Sequence, residues 1–246
     1  MRAISLSDIG KNRDMNQDFV FSSSQPVGNL PNLFVVADGM GGHNAGEYAS
    51  QKAVEVIVKN AFESGDTNCA TILRKAIKEA NSSLLAVSES DNTMQGMGTT
   101  IVAAFCDKDK ATIVNVGDSR MYHVKEDAVV QVTKDHSLVQ EMVRKGEIDK
   151  QEAKVHPSKN IITRAVGVQS EVTADFFEVE IKAGQKILLC SDGLTNMLGE
   201  KELAEILLDK ETSIDNQAQR LIEKANENGG EDNISVIIID PFDEGE

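Results

Sequence analysis

The sequence has few cysteines and no long apolar segment. Its three cysteines, Cys69, Cys106 and Cys190, are odd in number and form no Cys-x-x-Cys pair. Because Cys106 and Cys190 lie at the ends of apolar, strand-like runs, we interpret them as buried structural thiols, which fits a reducing cytoplasm. The longest apolar runs fall far short of the roughly 20 residues that span a bilayer, and residues 1–13 contain no apolar core of a secretion signal. These absences predict a cytoplasmic protein with no membrane insertion.

Positive charge is scarce relative to negative charge. The chain has 25 Lys and Arg against 40 Asp and Glu, which gives a formal net charge of -15. This balance argues against nucleic acid or an anionic membrane as the main partner. An acidic chain that handles an anionic group needs a local source of positive charge, and bound divalent cations would supply it.

Some common functional motifs are missing as well. The sequence contains neither a G-x-S-x-G nucleophile elbow nor a G-x-x-x-x-G-K-[ST] phosphate-binding loop, so neither a serine nucleophile nor a nucleotide-binding loop is indicated. It also lacks the pattern D-x-[DN]-x-[DN]-G, which argues against an acidic calcium-binding protein.

Two stretches share one design, a strand-like run that leads into Asp-Gly. In residues 33–43, a run rich in β-branched residues predicts a buried strand that ends at Asp38. A glycine-rich turn follows, and a helix begins near Gly46. Residues 186–193 repeat the design and end on Asp192 and a glycine. The two carboxylates therefore indicate a shared site.

The remaining pattern predicts an α+β fold. Apolar residues recur at helical spacing in residues 46–62, 69–87, 200–208 and 214–226. Strand-like runs occupy residues 3–7, 19–21, 99–106, 111–116, 121–124, 172–181 and 234–239. Because the strands from 99 to 124 follow one another without crossover helices, they indicate antiparallel sheets in the middle of the molecule, with helices outside. No linker or repeat divides the chain, so we expect one domain over residues 1–246, with a charged helical insertion at about 137–164.

A set of aspartates lies near the ends of predicted strands, namely Asp18, Asp38, Asp118, Asp192 and Asp232. Hard divalent ions such as Mg²⁺ and Mn²⁺ prefer oxygen ligands, and short side chains on rigid strands can hold their near-octahedral geometry. Gly39, which follows Asp38, leaves its carbonyl free to approach an ion. A single Asp-Gly or Asp-Asn pair is more often an ordinary turn, but the whole set indicates a divalent-metal site.

Arg13 precedes the first of these aspartates. Its guanidinium group is either a fork that binds a phosphate or an ordinary solvated side chain. Two metal ions about 3.5–4 Å apart can activate a bridging water and hold both oxygens of an in-line displacement, so that no side-chain nucleophile is required. This combination predicts metal-dependent hydrolysis of a phosphate ester.

Residues 13–18 have the sequence Arg-Asp-Met-Asn-Gln-Asp, residues 38–43 Asp-Gly-Met-Gly-Gly-His and residues 46–50 Gly-Glu-Tyr-Ala-Ser. These stretches resemble the RxxNQD motif, the DGMGGH motif and the GExAS continuation of one enzyme family, the bacterial form of the metal-dependent type 2C (PPM) serine/threonine protein phosphatases. Six further stretches resemble the remaining motifs of the family and occur in the same order, namely residues 97–100, 116–120, 135–137, 163–167, 191–195 and 230–234. The resemblance runs from about Ser5 to Ile239, and an ordered set of this kind is specific.

The resemblance implies a central β-sandwich of two antiparallel sheets flanked by pairs of α-helices. It also implies three metal sites. The first Mn²⁺ or Mg²⁺ would be bound by Asp38, Asp192 and Asp232, and the second by Asp38, the Gly39 carbonyl and, largely through water, Asp18. A third, weaker ion would be bound by Asp118 with Asp192. Arg13 matches the phosphate-binding arginine of the family. Residues 137–164 correspond to a flap beside the active site that affects substrate choice.

One position departs from the wider family. Eukaryotic-type members carry Asp-Gly-His-Ala-Gly, in which the histidine is a proposed general acid, whereas here the matching residue is Met40. His43 lies three residues further on and is a candidate for this catalytic role, with a structural or substrate-contacting role as the alternative. A metal-bound water could instead protonate the leaving oxygen.

The resemblance also implies partners. These are phosphorylated proteins as substrates and a eukaryotic-like bacterial serine/threonine kinase that the enzyme opposes, with a monomer as the family default. The alternative is a catalytically silent module that only binds phosphoproteins and has lost a metal-binding aspartate or the arginine. None of these residues is lost here: the chain retains Arg13, Asp18, Asp38, Asp192 and Asp232. We therefore predict an active metal-dependent protein serine/threonine phosphatase.

Overall fold

The computed structural model describes residues 1–42, 44–107 and 109–243. Within these residues the chain forms seven α-helices, numbered in chain order: α1 (Ala45–Glu63), α2 (Cys69–Ser90), α3 (Leu138–Lys145), α4 (Lys150–Val155), α5 (Asp192–Thr195), α6 (Glu200–Leu207) and α7 (Ile214–Glu227). It forms eleven β-strands: β1 (Arg2–Asp8), β2 (Asp18–Ser23), β3 (Leu33–Met40), β4 (Gly98–Thr99), β5 (Ile101–Asp107), β6 (Lys110–Val116), β7 (Arg120–Val124), β8 (Val129–Gln131), β9 (Asp175–Glu180), β10 (Lys186–Cys190) and β11 (Ile234–Asp240). His43, a candidate catalytic residue, lies outside the described residues.

The strands form two sheets in which every pairing is antiparallel. One sheet has the order β1-β11-β10-β7-β8. The other has the order β2-β3-β5-β6-β9, with β4 paired to the end of β3. This arrangement confirms the predicted α+β fold with two antiparallel sheets.

The two sheets pack face to face, and the first helix pair covers the outer face of the β3 sheet. In β3, Phe34 and Val36 face the other sheet, where they join an apolar cluster with Ile237. Val35 and Ala37 point the opposite way and pack with α1 and α2. Because both faces of β3 are buried, its sequence is a continuous apolar run rather than an alternation of apolar and polar residues.

A second helix pair, α6 and α7, covers the outer face of the β1 sheet. Leu203 of α6 and Leu221 of α7 join an apolar cluster with Leu188 and Ile238. The layers therefore run helix, sheet, sheet, helix, which is the predicted order. Each fully buried aliphatic side chain contributes roughly 1.5–3 kcal/mol of hydrophobic free energy, so the packed layers give the loops at the sandwich edge a rigid support.

Residues 137–164 contain the short helices α3 and α4. Ser137 caps the start of α3, and Asp149 forms a capping box at the start of α4. The two ends of the segment lie side by side, because the Leu138 N–H donates to the Ile161 carbonyl at 2.8 Å. Two helices thus occupy the segment in which the sequence predicts a helical insertion.

Consecutive strands do not always pair, contrary to the expectation from their spacing. Only residues 117–119 separate β6 from β7, yet β6 lies in the β3 sheet and β7 in the β1 sheet. Gly117 makes this crossing possible, because its φ is 108°, a conformation that residues with a side chain rarely adopt. The short strand β8 and the short helix α5 also have no counterpart in the sequence interpretation.

Cys106 and Cys190 are buried free thiols, as predicted, whereas Cys69 is partly exposed. Burial raises the pKa of Cys106 and of Cys190 to about 12, so both thiols stay protonated and unreactive at neutral pH.

Among the helices of the described ranges, none is long and apolar enough to cross a bilayer.

Candidate functional site

Strand pairing within one sheet brings Asp18 and Asp38 together. Asp18 is the first residue of β2, Asp38 lies near the end of β3, and the register places the two residues directly opposite each other. The backbone is fixed at this point, because the Asp38 N–H donates to the Thr100 hydroxyl at 3.0 Å. Both carboxylates therefore project from rigid strands rather than from loops.

The other sheet contributes Asp192 and Asp232. Asp192 lies two residues after the end of β10, and Asp232 lies two residues before the start of β11. These two strands pair antiparallel, so the end of one adjoins the beginning of the other. A hydrogen bond then joins the two sheets, since the Ser191 hydroxyl donates to Asp18 Oδ2 at 2.7 Å.

Asp118 lies in the turn that connects the two sheets between β6 and β7. It is 7% exposed, and its carboxylate interacts electrostatically with Asp192. The nearby Arg120 is already paired, because its guanidinium group donates to the Asp135 carboxylate at distances from 2.7 to 3.1 Å. The structure thus brings all five predicted aspartates into one electrostatically coupled group.

Burial and crowding raise the pKa of four of these carboxylates, those of Asp18, Asp38, Asp118 and Asp192. Burial, with repulsion from the neighbouring carboxylates, raises the pKa of Asp18 to about 7 and the pKa of Asp118 to about 8. The same causes raise the pKa of Asp38 and of Asp192 above the usual range. The group therefore stabilises a positive charge placed among its members.

The Arg13 guanidinium group lies against this carboxylate group. It donates to Asp232 Oδ2 at 2.8 Å, and this hydrogen bond raises the pKa of Arg13 further. The Arg13 side chain is 50% exposed, so an anion from solvent can reach it. The predicted phosphate-binding residue is thus beside a predicted metal ligand.

The oxygen donors of the group fit hard divalent cations. In the part of the chain that the structure describes, Asp18 Oδ1 and Asp118 Oδ1 are buried without a hydrogen-bond partner, although buried polar atoms normally have one. A cation would satisfy these oxygens and offset the repulsion. No three His, Cys, Asp or Glu side chains among the described residues are already arranged to hold an ion, and several oxygens instead accept hydrogen bonds from Ser191, Asn196 and Arg13. The individual ligand assignments stay predictions.

Gly39 is needed for close packing of the backbone around the site. Its N–H donates to the Gln17 carbonyl at 3.1 Å, and a Cβ on Gly39 would lie 2.0 Å from the Gly46 carbonyl oxygen in the first turn of α1. Conversely, a Cβ on Gly46 would lie 2.8 Å from the Gly39 carbonyl oxygen. The two glycines let α1 begin against the site, a packing reason that the sequence did not reveal. The Gly39 carbonyl as a metal ligand stays a prediction.

Two residues that orient the site have no role in the sequence interpretation. Ser191 binds Asp18, which is 173 residues away in the chain, and the Asn233 amide binds residues 9–17. Each of the two is adjacent to a predicted metal ligand, and this adjacency was the available signal. A motif alone does not reveal a hydrogen bond to a segment so distant in sequence.

The raised carboxylate pKa values predict that the metal-free protein loses stability as pH rises. A carboxyl group whose pKa is higher in the folded than in the unfolded chain contributes most to folding stability at pH values below its unfolded pKa of about 4. This contribution is lost as pH rises through the folded values, about 7 for Asp18 and about 8 for Asp118. Mn²⁺ or Mg²⁺ binds the ionised form, so the metal-induced increase in Tm should be larger at about pH 8 than at about pH 5.5. Scanning calorimetry with metal and with EDTA measures this increase, and equal increases at both pH values would contradict the prediction.

One family model matches most of the chain. It is the model described as Protein phosphatase 2C, and it matches residues 10–226. The serine/threonine phosphatase stp of Listeria innocua serovar 6a is 43% identical to this chain in an alignment 248 residues long. The alignment covers 98% of this chain and 96% of that protein.

Solved structures are similar in fold over nearly the whole chain. The S. agalactiae serine/threonine phosphatase superposes with a TM-score of 0.89 at 37% identity, covering 96% of this chain and 98% of that one. The catalytic domain of the serine threonine protein phosphatase PstP, in complex with 2 manganese ions, superposes with a TM-score of 0.84 at 33% identity, covering 96% of each chain. The fold, the family model and the ordered motifs are therefore consistent with one another.

Proposed function

The chain belongs to the protein phosphatase 2C family, and we propose that it hydrolyses phosphoserine and phosphothreonine in proteins at a centre formed by its five clustered aspartates. It is a phosphoprotein phosphatase whose catalysis depends on Mn²⁺ or Mg²⁺. The observation that supports the proposed centre is the convergence of buried carboxylates from both sheets, with Arg13 beside them.

Two groups of oxygens would hold the two core ions. The proposed ligands of the first ion are Asp38, Asp192 and Asp232, and those of the second are Asp38, the Gly39 carbonyl and, largely through water, Asp18. The electrostatic coupling of Asp38 to the other carboxylates supports its place in both sets. When bound, two such ions would activate a water molecule for in-line attack on phosphorus and offset charge on the phosphoryl oxygens.

The protein's own side chains bind and orient in this scheme. Arg13 would bind phosphoryl oxygens through its planar guanidinium group, and Asp232 holds that group at the edge of the centre. Ser191 fixes the orientation of the Asp18 carboxylate through its hydroxyl. The leaving oxygen must gain a proton, and His43 is one candidate for this step, with a structural or substrate-contacting role for His43 as the alternative.

Hydrolysis of a phosphothreonine peptide tests the proposed function. The protein with Mn²⁺ should release phosphate, and EDTA should stop the release, because the bound ions would activate the attacking water. A phosphotyrosine peptide of otherwise identical sequence is the control for substrate class. Folded, metal-loaded protein that releases no phosphate from the phosphothreonine peptide would contradict the proposal and favour a module that only binds phosphoproteins.

The proposed weaker third site makes a separate prediction. Asp118→Ala should increase the Mn²⁺ concentration needed for half-maximal activity by about tenfold or more, since even the loss of a group that only orients a metal ligand commonly weakens metal affinity by about tenfold. Activity at saturating Mn²⁺ should change less. Asp127→Ala, which alters an exposed aspartate in the turn between β7 and β8, is the control. A metal titration of Asp118→Ala that matches the wild type would rule out the third site.

The proposal extends to the partners of the enzyme and to residues 137–164. Phosphoserine and phosphothreonine are products of a protein kinase, so the enzyme would oppose a serine/threonine kinase, as a cytoplasmic monomer with one domain over residues 1–246. Residues 137–164 would act as a flap that affects substrate choice. They begin beside the turn that contains Asp118, where the His136 N–H donates to the Gly117 carbonyl at 3.0 Å and His136 Nδ1 accepts from the Gly117 N–H at 2.9 Å.

A further inference from the structure

One buried amide side chain holds the loop that contains Arg13. Asn233 is 4% exposed, and its Nδ2 donates to the carbonyl oxygens of Ile9 and Met15, each at 2.9 Å. Its Oδ1 accepts from the Gln17 N–H at 2.8 Å. The Asn233 side chain therefore binds the loop on both sides of Arg13.

The rest of this loop is held mainly by polar contacts. Residues 11–14 are exposed, so core packing does not fix their position. A second attachment comes from Gly230, whose carbonyl oxygen accepts from the N–H groups of Lys11 at 2.8 Å and Asn12 at 3.2 Å. The loop thus lies on residues 230–233, the segment that also contains a proposed metal ligand.

We propose that Asn233 is a positioning residue for Arg13. Its side chain fixes the loop, so that the Arg13 guanidinium group lies beside Asp232 in the position where it would bind a phosphate. This role rests on the proposed function, in which Arg13 binds the phosphoryl group. One short segment then places both a metal ligand and the phosphate-binding cation. An arginine that is held in place before binding loses less conformational entropy when it binds an anion.

The end of the loop next to β2 is also held by hydrogen bonds that do not involve Asn233. The Gln17 carbonyl accepts from the Gly39 N–H at 3.1 Å and from the Ser50 hydroxyl at 2.6 Å. Loss of the Asn233 amide should therefore release residues 9–15 more than it disturbs β2. Phosphate binding should be weakened more than metal binding.

Asn233→Ala tests this role, with Gln217→Ala as the matched control. Gln217 is a fully buried amide that also has three hydrogen-bond partners, namely Lys186, Leu207 and Asp209, but it holds the connection between α6 and α7. Both variants should lower Tm, because both leave buried polar groups without partners.

Only Asn233→Ala should weaken phosphate recognition. Its KM for a phosphothreonine peptide and the inhibition constant of inorganic phosphate should each rise about tenfold or more, since a small displacement of a binding group has a large effect. Its kcat at saturating Mn²⁺, and its Mn²⁺ affinity by calorimetry, should change by less than about threefold. Gln217→Ala should keep the wild-type KM.

A double-mutant cycle with Arg13→Ala separates positioning from a general structural effect. Arg13→Ala should itself raise KM and the phosphate inhibition constant, and adding Asn233→Ala should then have little further effect, because both changes act on one contact. Full additivity of the two effects on KM would overturn the role of Asn233 but not that of Arg13. A wild-type KM in Asn233→Ala, when Arg13→Ala has a raised KM, would do the same. A wild-type KM in Arg13→Ala would refute phosphate binding by Arg13, and the positioning role with it.

If Asn233→Ala does not fold, Asn233→Asp provides the same test. The aspartate keeps an acceptor for the Gln17 N–H but has no N–H to donate to Ile9 and Met15. Its KM should rise in the wild-type background and change little in the Arg13→Ala background. A wild-type KM in Asn233→Asp would overturn the proposal.

Discussion

Asp192→Ala should abolish hydrolysis of phosphothreonine peptides while the protein remains folded. The Asp192 carboxylate is coupled to Asp38, Asp118 and Asp232, so in the proposed centre it contributes to the first and the third ion. Its loss should lower kcat/KM by at least about a thousandfold, because bound metal supplies several kcal/mol of transition-state stabilisation. Folding should survive, since burial and repulsion make the ionised carboxylate unfavourable without metal.

Asp209→Ala is the control for this substitution. Asp209 also accepts hydrogen bonds, from Thr212 and from Arg220, but it follows α6 and lies outside the coupled group of five aspartates. Its activity should equal that of the wild type. Kinetics at saturating Mn²⁺, with circular dichroism as the check on folding, gives the comparison. Asp192→Ala with more than about a tenth of wild-type kcat/KM would be inconsistent with its place in the centre.

Gly39→Ala should damage both stability and activity, because the added methyl group has no room. Its Cβ would lie 2.0 Å from the Gly46 carbonyl oxygen and 2.7 Å from the Gln17 carbonyl oxygen. Both are backbone atoms, so α1 or the segment before β2 must move. Overpacking of this kind costs about 1–3 kcal/mol of unfolding free energy. The movement also displaces Asp38 and the loop next to Asp18, and kcat/KM should fall by about a hundredfold.

Gly65→Ala is the matched glycine control. A Cβ on Gly65, in the connection between α1 and α2, would meet no described atom within 4 Å. Its unfolding free energy should stay within about 0.5 kcal/mol of the wild-type value, as for most exposed substitutions. Urea unfolding and peptide hydrolysis measure both effects. Wild-type stability in Gly39→Ala would show that the backbone contact is looser than the structure indicates.

Much of the fold could be predicted from local sequence patterns. The continuous apolar run before Asp38 predicts a strand buried on both faces, and β3 does lie between a helix layer and the second sheet. Helical periodicity predicts α1, α2, α6 and α7 to within a few residues of their observed bounds. These elements are predictable because their side-chain pattern follows their own geometry.

Sheet membership could not be predicted in the same way. Nothing local shows that the turn containing Gly117 carries the chain from one sheet to the other, because a tight turn between two strands usually makes a hairpin. Asp192 similarly begins the short helix α5, whereas Asp38 lies inside β3. The two Asp-Gly pairs therefore reach the site from different local structures.

The site itself was predictable as a set of residues and not as a network. Ordered motifs identify Arg13 and the five aspartates, which the structure brings together. The hydrogen bonds that orient them, from Ser191 to Asp18 and from Asn233 to residues 9–17, join segments far apart in the chain. Such contacts depend on tertiary packing, which local periodicity does not encode.

Anomalous scattering from a crystal grown with Mn²⁺ tests most directly whether these aspartates hold the ions. We expect two strong peaks about 3.5–4 Å apart, one beside Asp38, Asp192 and Asp232 and the other beside Asp38 and the Gly39 carbonyl. A weaker peak near Asp118 would correspond to the third ion. Strong peaks elsewhere on the acidic surface, with none among these residues, would contradict the proposed metal centre.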